Sequence, residues 1–91
     1  MKESVIQTYL INQVKLRGGV ADKVVSKSRR AFVDVLANLN GVEWFIECKT
    51  PVGRLSELQR VFRDECKRIG RRHLVLRSRE EIDAWLRTTT R

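Results

Sequence analysis

The residues best equipped for chemistry are Asp34, Glu47 and Lys49, with the dipeptide Asn40-Gly41 between them. Asn-Gly flanked by apolar residues is a strong hairpin signal, because a type I′ turn needs positive φ at both central positions. With that turn Leu39 faces Val42, and pairing runs outward until Asp34 lies directly across from Glu47. Directly opposed residues share a sheet face, with Cβ atoms about 4.5–5.5 Å apart. Lys49, two residues past Glu47, falls on the same face. Opposed carboxylates repel, so something must offset the cost: a shared proton, a neighbouring cation such as Lys49, or a bound divalent metal. Paired carboxylates with room for water suit Mg²⁺ or Mn²⁺, hard cations that favour oxygen. A metal that polarises a phosphate, with an ammonium to position hydroxide or stabilise developing charge, is equipment for phosphodiester hydrolysis. The plainer reading of the same residues is a solvated ion-pair network.

The elements that must position them can be read along the chain. Val5, Ile6, Tyr9, Leu10 and Val14 recur at helical spacing within a helix from about Lys2 to Arg17, stopped by Gly18-Gly19. Glu3 and Gln7 share a face of it. Val20 to Val25 reads as a short strand before the basic loop Lys27-Ser28-Arg29-Arg30. The hairpin arms are residues 31–39 and 42–49. Val33, Val35, Ala37, Leu39, Val42, Trp44, Ile46 and Cys48 then form one apolar face, and Asp34, Leu36, Asn38, Glu43, Phe45, Glu47 and Lys49 the other. A one-residue slip would scramble that segregation. Pro51 and Gly53 open a loop, and a helix from about Ser56 to Ile69 carries Leu55, Leu58, Phe62, Cys66 and Ile69 as its apolar stripe, with Gly70 as its stop. His73 to Arg77 predicts a short buried strand. Ser78 and Glu81 make a capping box for a last helix bearing Ile82, Trp85 and Leu86. The order is α-β-β-β-α-β-α, in one domain spanning residues 1–91. Trp44 belongs to the core set, not to a base-stacking platform.

Composition narrows the partner. Nineteen Lys and Arg against eleven Asp and Glu give a net charge of +8 in 91 residues. Thirteen of the nineteen cations are Arg, whose planar fork matches phosphate oxygens. An excess of this size on so small a body attracts polyanions, nucleic acid first among them. Lys27, Arg29, Arg30, Arg54, Arg60, Arg63 and Lys67 are the candidate phosphate contacts, with a solvated charged face as the ordinary alternative for the helical ones. Cys48 and Cys66 form no CxxC pair and His73 stands alone, which argues against a Cys/His zinc cluster. No apolar run resembles a signal peptide or a membrane span, so free thiols in a reducing cytoplasm are expected.

Asp34 followed by Glu47-Cys48-Lys49 resembles the D…ExK signature of the PD-(D/E)xK nuclease superfamily. The run Phe45-Ile46-Glu47-Cys48-Lys49-Thr50-Pro51-Val52-Gly53-Arg54-Leu55-Ser56, with Gln59 after it, is similar to the VRR-NUC family, the virus-type replication-repair nucleases. Glu3 and Gln7 match a helical Glu and Gln of that family, and the resemblance reaches the stretch from Gly70 to Leu76. It implies a restriction-endonuclease-like α/β core, a mixed sheet flanked by helices, with a Mg²⁺ or Mn²⁺ site. Asp34 and Glu47 would be metal ligands, with the main-chain carbonyl of Cys48 as a further one. Lys49 would be the catalytic lysine. Glu3 would complete the site, directly or through water, and Gln59 would support Lys49 or the water. Each of the last two has a bland rival: Glu3 as an acidic first-turn residue, Gln59 as the reciprocal half of a capping box with Ser56. The family pattern often has Gly, any residue, Pro and Asp, where this chain has Ala31-Phe32-Val33-Asp34.

The resemblance further implies a homodimer that cuts branched DNA in the manner of Holliday junction resolvases, in a bacterial or phage-infected cell. Two rivals keep the basic surface: a nucleic-acid-binding module with a vestigial nuclease site, and a nuclease subunit active only with partners.

Overall fold

The computed structural model describes residues 2–24 and 33–89. Its elements are α1 (Glu3–Leu16), β1 (Val20–Lys23), β2 (Val35–Leu39), β3 (Val42–Cys48), α2 (Glu57–Ile69), β4 (His73–Leu76) and α3 (Arg79–Thr89). This is the expected α-β-β-β-α-β-α order. The four strands lie side by side as β1-β2-β3-β4. The first three pair antiparallel and β4 runs parallel to β3, which makes the sheet mixed. Among the described residues no helix is long and apolar enough to cross a membrane.

The Asn40-Gly41 turn sets the hairpin. Asn40 has φ 55° and Gly41 φ 80°, the paired positive values of a type I′ turn. Pairing runs from Leu39 opposite Val42 to Val35 opposite Ile46. On one face Val35, Ala37, Leu39, Ile46 and Cys48 pack against Ile6, Leu10 and Val14 of α1 and Ile82, Trp85 and Leu86 of α3. Trp44 joins this packing, its ring edge-on to Trp85 with centroids 5.4 Å apart. The other face holds α2, whose Phe62 and Cys66 meet Val33 and Phe45.

The structure corrects the expected arrangement in four places. Val33 sits in the α2-side cluster, not with Val35 and Ala37. The reason is local: β2 begins at Val35, residues 33 and 34 form a bend, and alternation between faces lapses where the backbone leaves the pleat. Asp34 therefore stands just outside the ladder, its N–H donating to the Ile46 carbonyl at 3.0 Å. Residues 31 and 32 of the expected arm, and Val25 of the expected first strand, lie outside the described residues. On α2, Leu58 and Ile69 are 58% and 50% exposed, because they flank the line along which the helix meets the sheet. The strand from His73 stops at Leu76 and is an edge strand, with only Leu76 fully buried. At α3, Ser78 Oγ accepts from the Glu81 N–H, but Glu81 returns its carboxylate to the Arg77 N–H instead of to Ser78.

Candidate active site

The bend that removes Asp34 from the ladder also gives its side chain a task. The Cys48 N–H, which a continued β2 would have bonded through its backbone, donates instead to Asp34 Oδ2 at 2.7 Å. That bond pins one carboxylate at the end of β3. Glu47 precedes Cys48 and points to the opposite face, toward α2.

Glu47 is 1% exposed, the one charged residue fully buried among the described residues. Gln59 Nε2 donates to its Oε1 at 2.7 Å, while its Oε2 is buried with no protein partner. Burial, then the neighbouring Asp34 charge and a hydrogen bond with Asp34, push the Glu47 carboxyl up to about 9, with Lys49 acting against them. An isolated buried carboxylate is costly. A proton on Glu47 would satisfy the unpartnered oxygen, and a cation beside it would do so equally.

Gln59 carries both readings of its sequence position. Its Oε1 accepts from the Ser56 N–H at 2.8 Å and its N–H donates to Ser56 Oγ at 3.1 Å, a complete capping box. With Oε1 committed to Ser56, the amide NH₂ is left facing Glu47. Where support of Lys49 or of the water was expected, the contact Gln59 makes is with the Glu47 carboxylate.

Lys49 is held from two sides. Its N–H donates to the Leu76 carbonyl at 3.1 Å, and its Nζ lies 4.0 Å from Glu3 Oε1, with side-chain exposures of 14% and 43%. Glu3, in the first turn of α1, thus meets the ammonium more directly than the carboxylates. Burial and the three nearby acids push the Cys48 thiol up to about 12, so the sulfur stays protonated and only its backbone faces the site. Within a strand a residue's N–H and C=O point to the same side, which turns the Cys48 carbonyl toward Asp34.

Arg77 escaped the sequence reading. Its Nη1 donates to the Thr50 carbonyl at 2.9 Å and to that of Gly53, closing the loop that follows Lys49. The only sequence signal for it was the tight Thr50–Gly53 turn, whose inward carbonyls need a donor. Arg54, Arg60 and Lys67 are exposed and Arg63 half-buried, none of them in contact with the carboxylates. Lys27, Arg29 and Arg30 lie outside the described residues.

Among the described residues, no three or more His, Cys, Asp and Glu side chains form a ready-made metal cage. Two carboxylates are nevertheless the usual protein contribution to a Mg²⁺ site, with waters and phosphate oxygens filling the other positions. The orphaned Glu47 Oε2 beside Asp34 fits such an ion.

Comparison with known proteins agrees with this architecture. The chain has the fold of a solved VRR_NUC domain, with a TM-score of 0.84 over 93% of this chain and 94% of that one, at 24% identity. In sequence it is 42% identical over 52 residues to the "Putative nuclease p44" of Acyrthosiphon pisum secondary endosymbiont phage 1. That match takes in 56% of this chain and 56% of the phage protein. No protein-family model matches the chain.

Proposed function

We propose that the chain is a nuclease of the VRR-NUC type, a Mg²⁺- or Mn²⁺-dependent endodeoxyribonuclease. The observation that carries the reading is the buried Glu47 with one unpartnered oxygen, set beside Asp34 and within the charge field of Lys49. The VRR_NUC-like fold and the nuclease name of the phage relative support it.

Asp34, Glu47 and the Cys48 carbonyl would hold the ion. When bound, it supplies Lewis-acid activation of the phosphate and of water. The rest falls to the chain. Gln59 fixes the Glu47 carboxylate so that its second oxygen stays free. Lys49, steadied by Glu3, positions the attacking oxygen or stabilises charge on the phosphate. Arg77 holds the loop that follows Lys49, and the basic surface docks the DNA. Branched DNA as the preferred substrate, a homodimer as the working unit and a phage-infected cell as the setting complete the reading.

The test uses branched and plain duplex DNA with each metal. Wild type should cut in Mg²⁺ or Mn²⁺ and stop in EDTA. Glu47→Gln should lower cleavage by roughly a thousandfold or more while still binding DNA, because the phosphate contacts remain. Wild-type rates from Glu47→Gln would refute the site.

A further inference from the structure

The helix that reaches the carboxylates at one end gathers cations at the other. Arg63 and Lys67 lie on the flank of α2 that also carries Gln59, as the helical spacing of four requires. Their charges bear on His73 at the start of β4, whose ring meets Phe62 with centroids 6.1 Å apart. Phe62 is edge-on to Phe45 at 5.9 Å, and the Arg71 guanidinium lies 5.3 Å from the Phe45 centroid. Arg71 is thus linked to the half-buried imidazole through a short chain of ring contacts, while Arg63 and Lys67 act on it from α2 through their charge. Arg63 Nε is engaged by Asp64 Oδ1 at 3.2 Å, which leaves its two Nη groups as donors. The negative helix end favours Lys67. It accounts for neither Arg63 in mid-helix nor Arg71 beyond the helix.

We propose that Arg63 and Lys67 on the flank of α2, with Arg71 just beyond its end, form a second phosphate-docking site that grips a DNA strand away from the Asp34–Glu47 end. This rests on the nuclease reading for the identity of the polyanion, but not on the metal site. The largely exposed cations at this end of α2 match a polyphosphate backbone, whose binding releases its condensed counterions. Lys67 lies eight residues beyond Gln59, roughly 12 Å along the helix axis. At one phosphate per about 3.4 Å of each strand, the span covers three to four nucleotides. The strand being cut must therefore extend about that far on the α2 side to be held at both ends.

His73 is the chain's single histidine, so its ring protons report on this site alone. The acting charges are Arg63 and Lys67, both cationic, and with burial they hold the imidazole below its usual range. An anion laid across them favours the protonated ring. The experiment titrates the protein in EDTA with an intact duplex of about 20 base pairs, long enough to span both sites, and follows the His73 ring signals and the backbone amides by NMR. Docking should shift the His73 signals and move their titration midpoint upward. Arg63→Gln/Lys67→Gln/Arg71→Gln should abolish that response and make the slope of log affinity against log salt shallower by about 2 to 3. If the duplex shifts amides around Glu47 and Lys49 while His73 is unmoved and the salt slope of the triple variant is unchanged, the second site is overturned and the nuclease reading stands. If the duplex binds nowhere, both fall. A response at His73 without one at Glu47 keeps this site and removes the carboxylate end as the place where DNA lies.

Discussion

The two ends of α2 treat like charges in opposite ways. At the N-terminal end, Gln59 reaches a carboxylate that is almost wholly buried, with the half-buried Asp34 beside it. At the C-terminal end the cations are largely exposed, and only the imidazole they surround is half-buried. Burial decides the consequence. Two carboxylates in a low-dielectric corner interact strongly and demand a proton or a metal ion. Cations in water repel weakly, cost little, and suit a mobile, extended anion. On the proposed reading, one helix joins a site for a small hard cation to a surface for a phosphate chain.

That contrast can be broken most severely at the acid end. Lys49→Ala should slow cleavage by roughly a hundredfold or more in single-turnover assays while leaving duplex affinity nearly unchanged, since one charge-stabilising group is lost and most phosphate contacts persist. A rate within twofold of wild type would remove Lys49 from the chemistry. A smaller effect is expected from Gln59→Leu, which deletes the bond to Glu47 Oε1. Metal affinity measured by calorimetry should fall about tenfold, the usual cost of losing an outer support of a metal ligand, and part of any stability loss will come from the broken capping box. Gln59→Glu separates these, because it restores the cap but brings a charge against Glu47; wild-type metal affinity in Gln59→Glu would limit Gln59 to a capping role.

The pH dependence is subtler still. Glu47 is raised to about 9 in the fold from an ordinary value near 4.5, so the folded chain holds a proton that the unfolded chain has released at neutral pH. The stabilisation from holding it is complete below about 4.5 and is lost as pH rises toward 9. In EDTA, Tm should therefore decline across that window. Glu47→Gln should flatten the decline, and a divalent ion should offset it in wild type by replacing the proton, so that metal binding tightens as pH rises. An unchanged slope in Glu47→Gln would show that the burial of this carboxyl does not govern the titration.

Much of this was legible in the residues. Asn40-Gly41 and the alternating apolar residues around it foretold the hairpin and its register, because turn chemistry and a period of two both act locally. The helices α1 and α2 were legible for the same reason, through their apolar spacing and glycine stops. The bend at residues 33 and 34 was not, since neither Gly nor Pro marks it and it goes with the Asp34 carboxylate accepting from the Cys48 N–H. The partners of Gln59, Glu3 and Arg77 were hidden as well. Each contact crosses between elements distant in sequence, and its choice of partner depends on how the helices sit on the sheet. The exposure of Leu58 and Ile69 is a limit of the same kind: an apolar stripe shows which side of a helix is apolar, not how wide a sheet it will meet.

The central claim is that Asp34 and Glu47 share a divalent ion. Anomalous scattering from a crystal soaked in Mn²⁺ tests it most directly. The account predicts a single strong peak between the two carboxylates, within bonding distance of Glu47 Oε2 and absent in Glu47→Gln. A wild-type crystal with no peak there at high Mn²⁺ would contradict it.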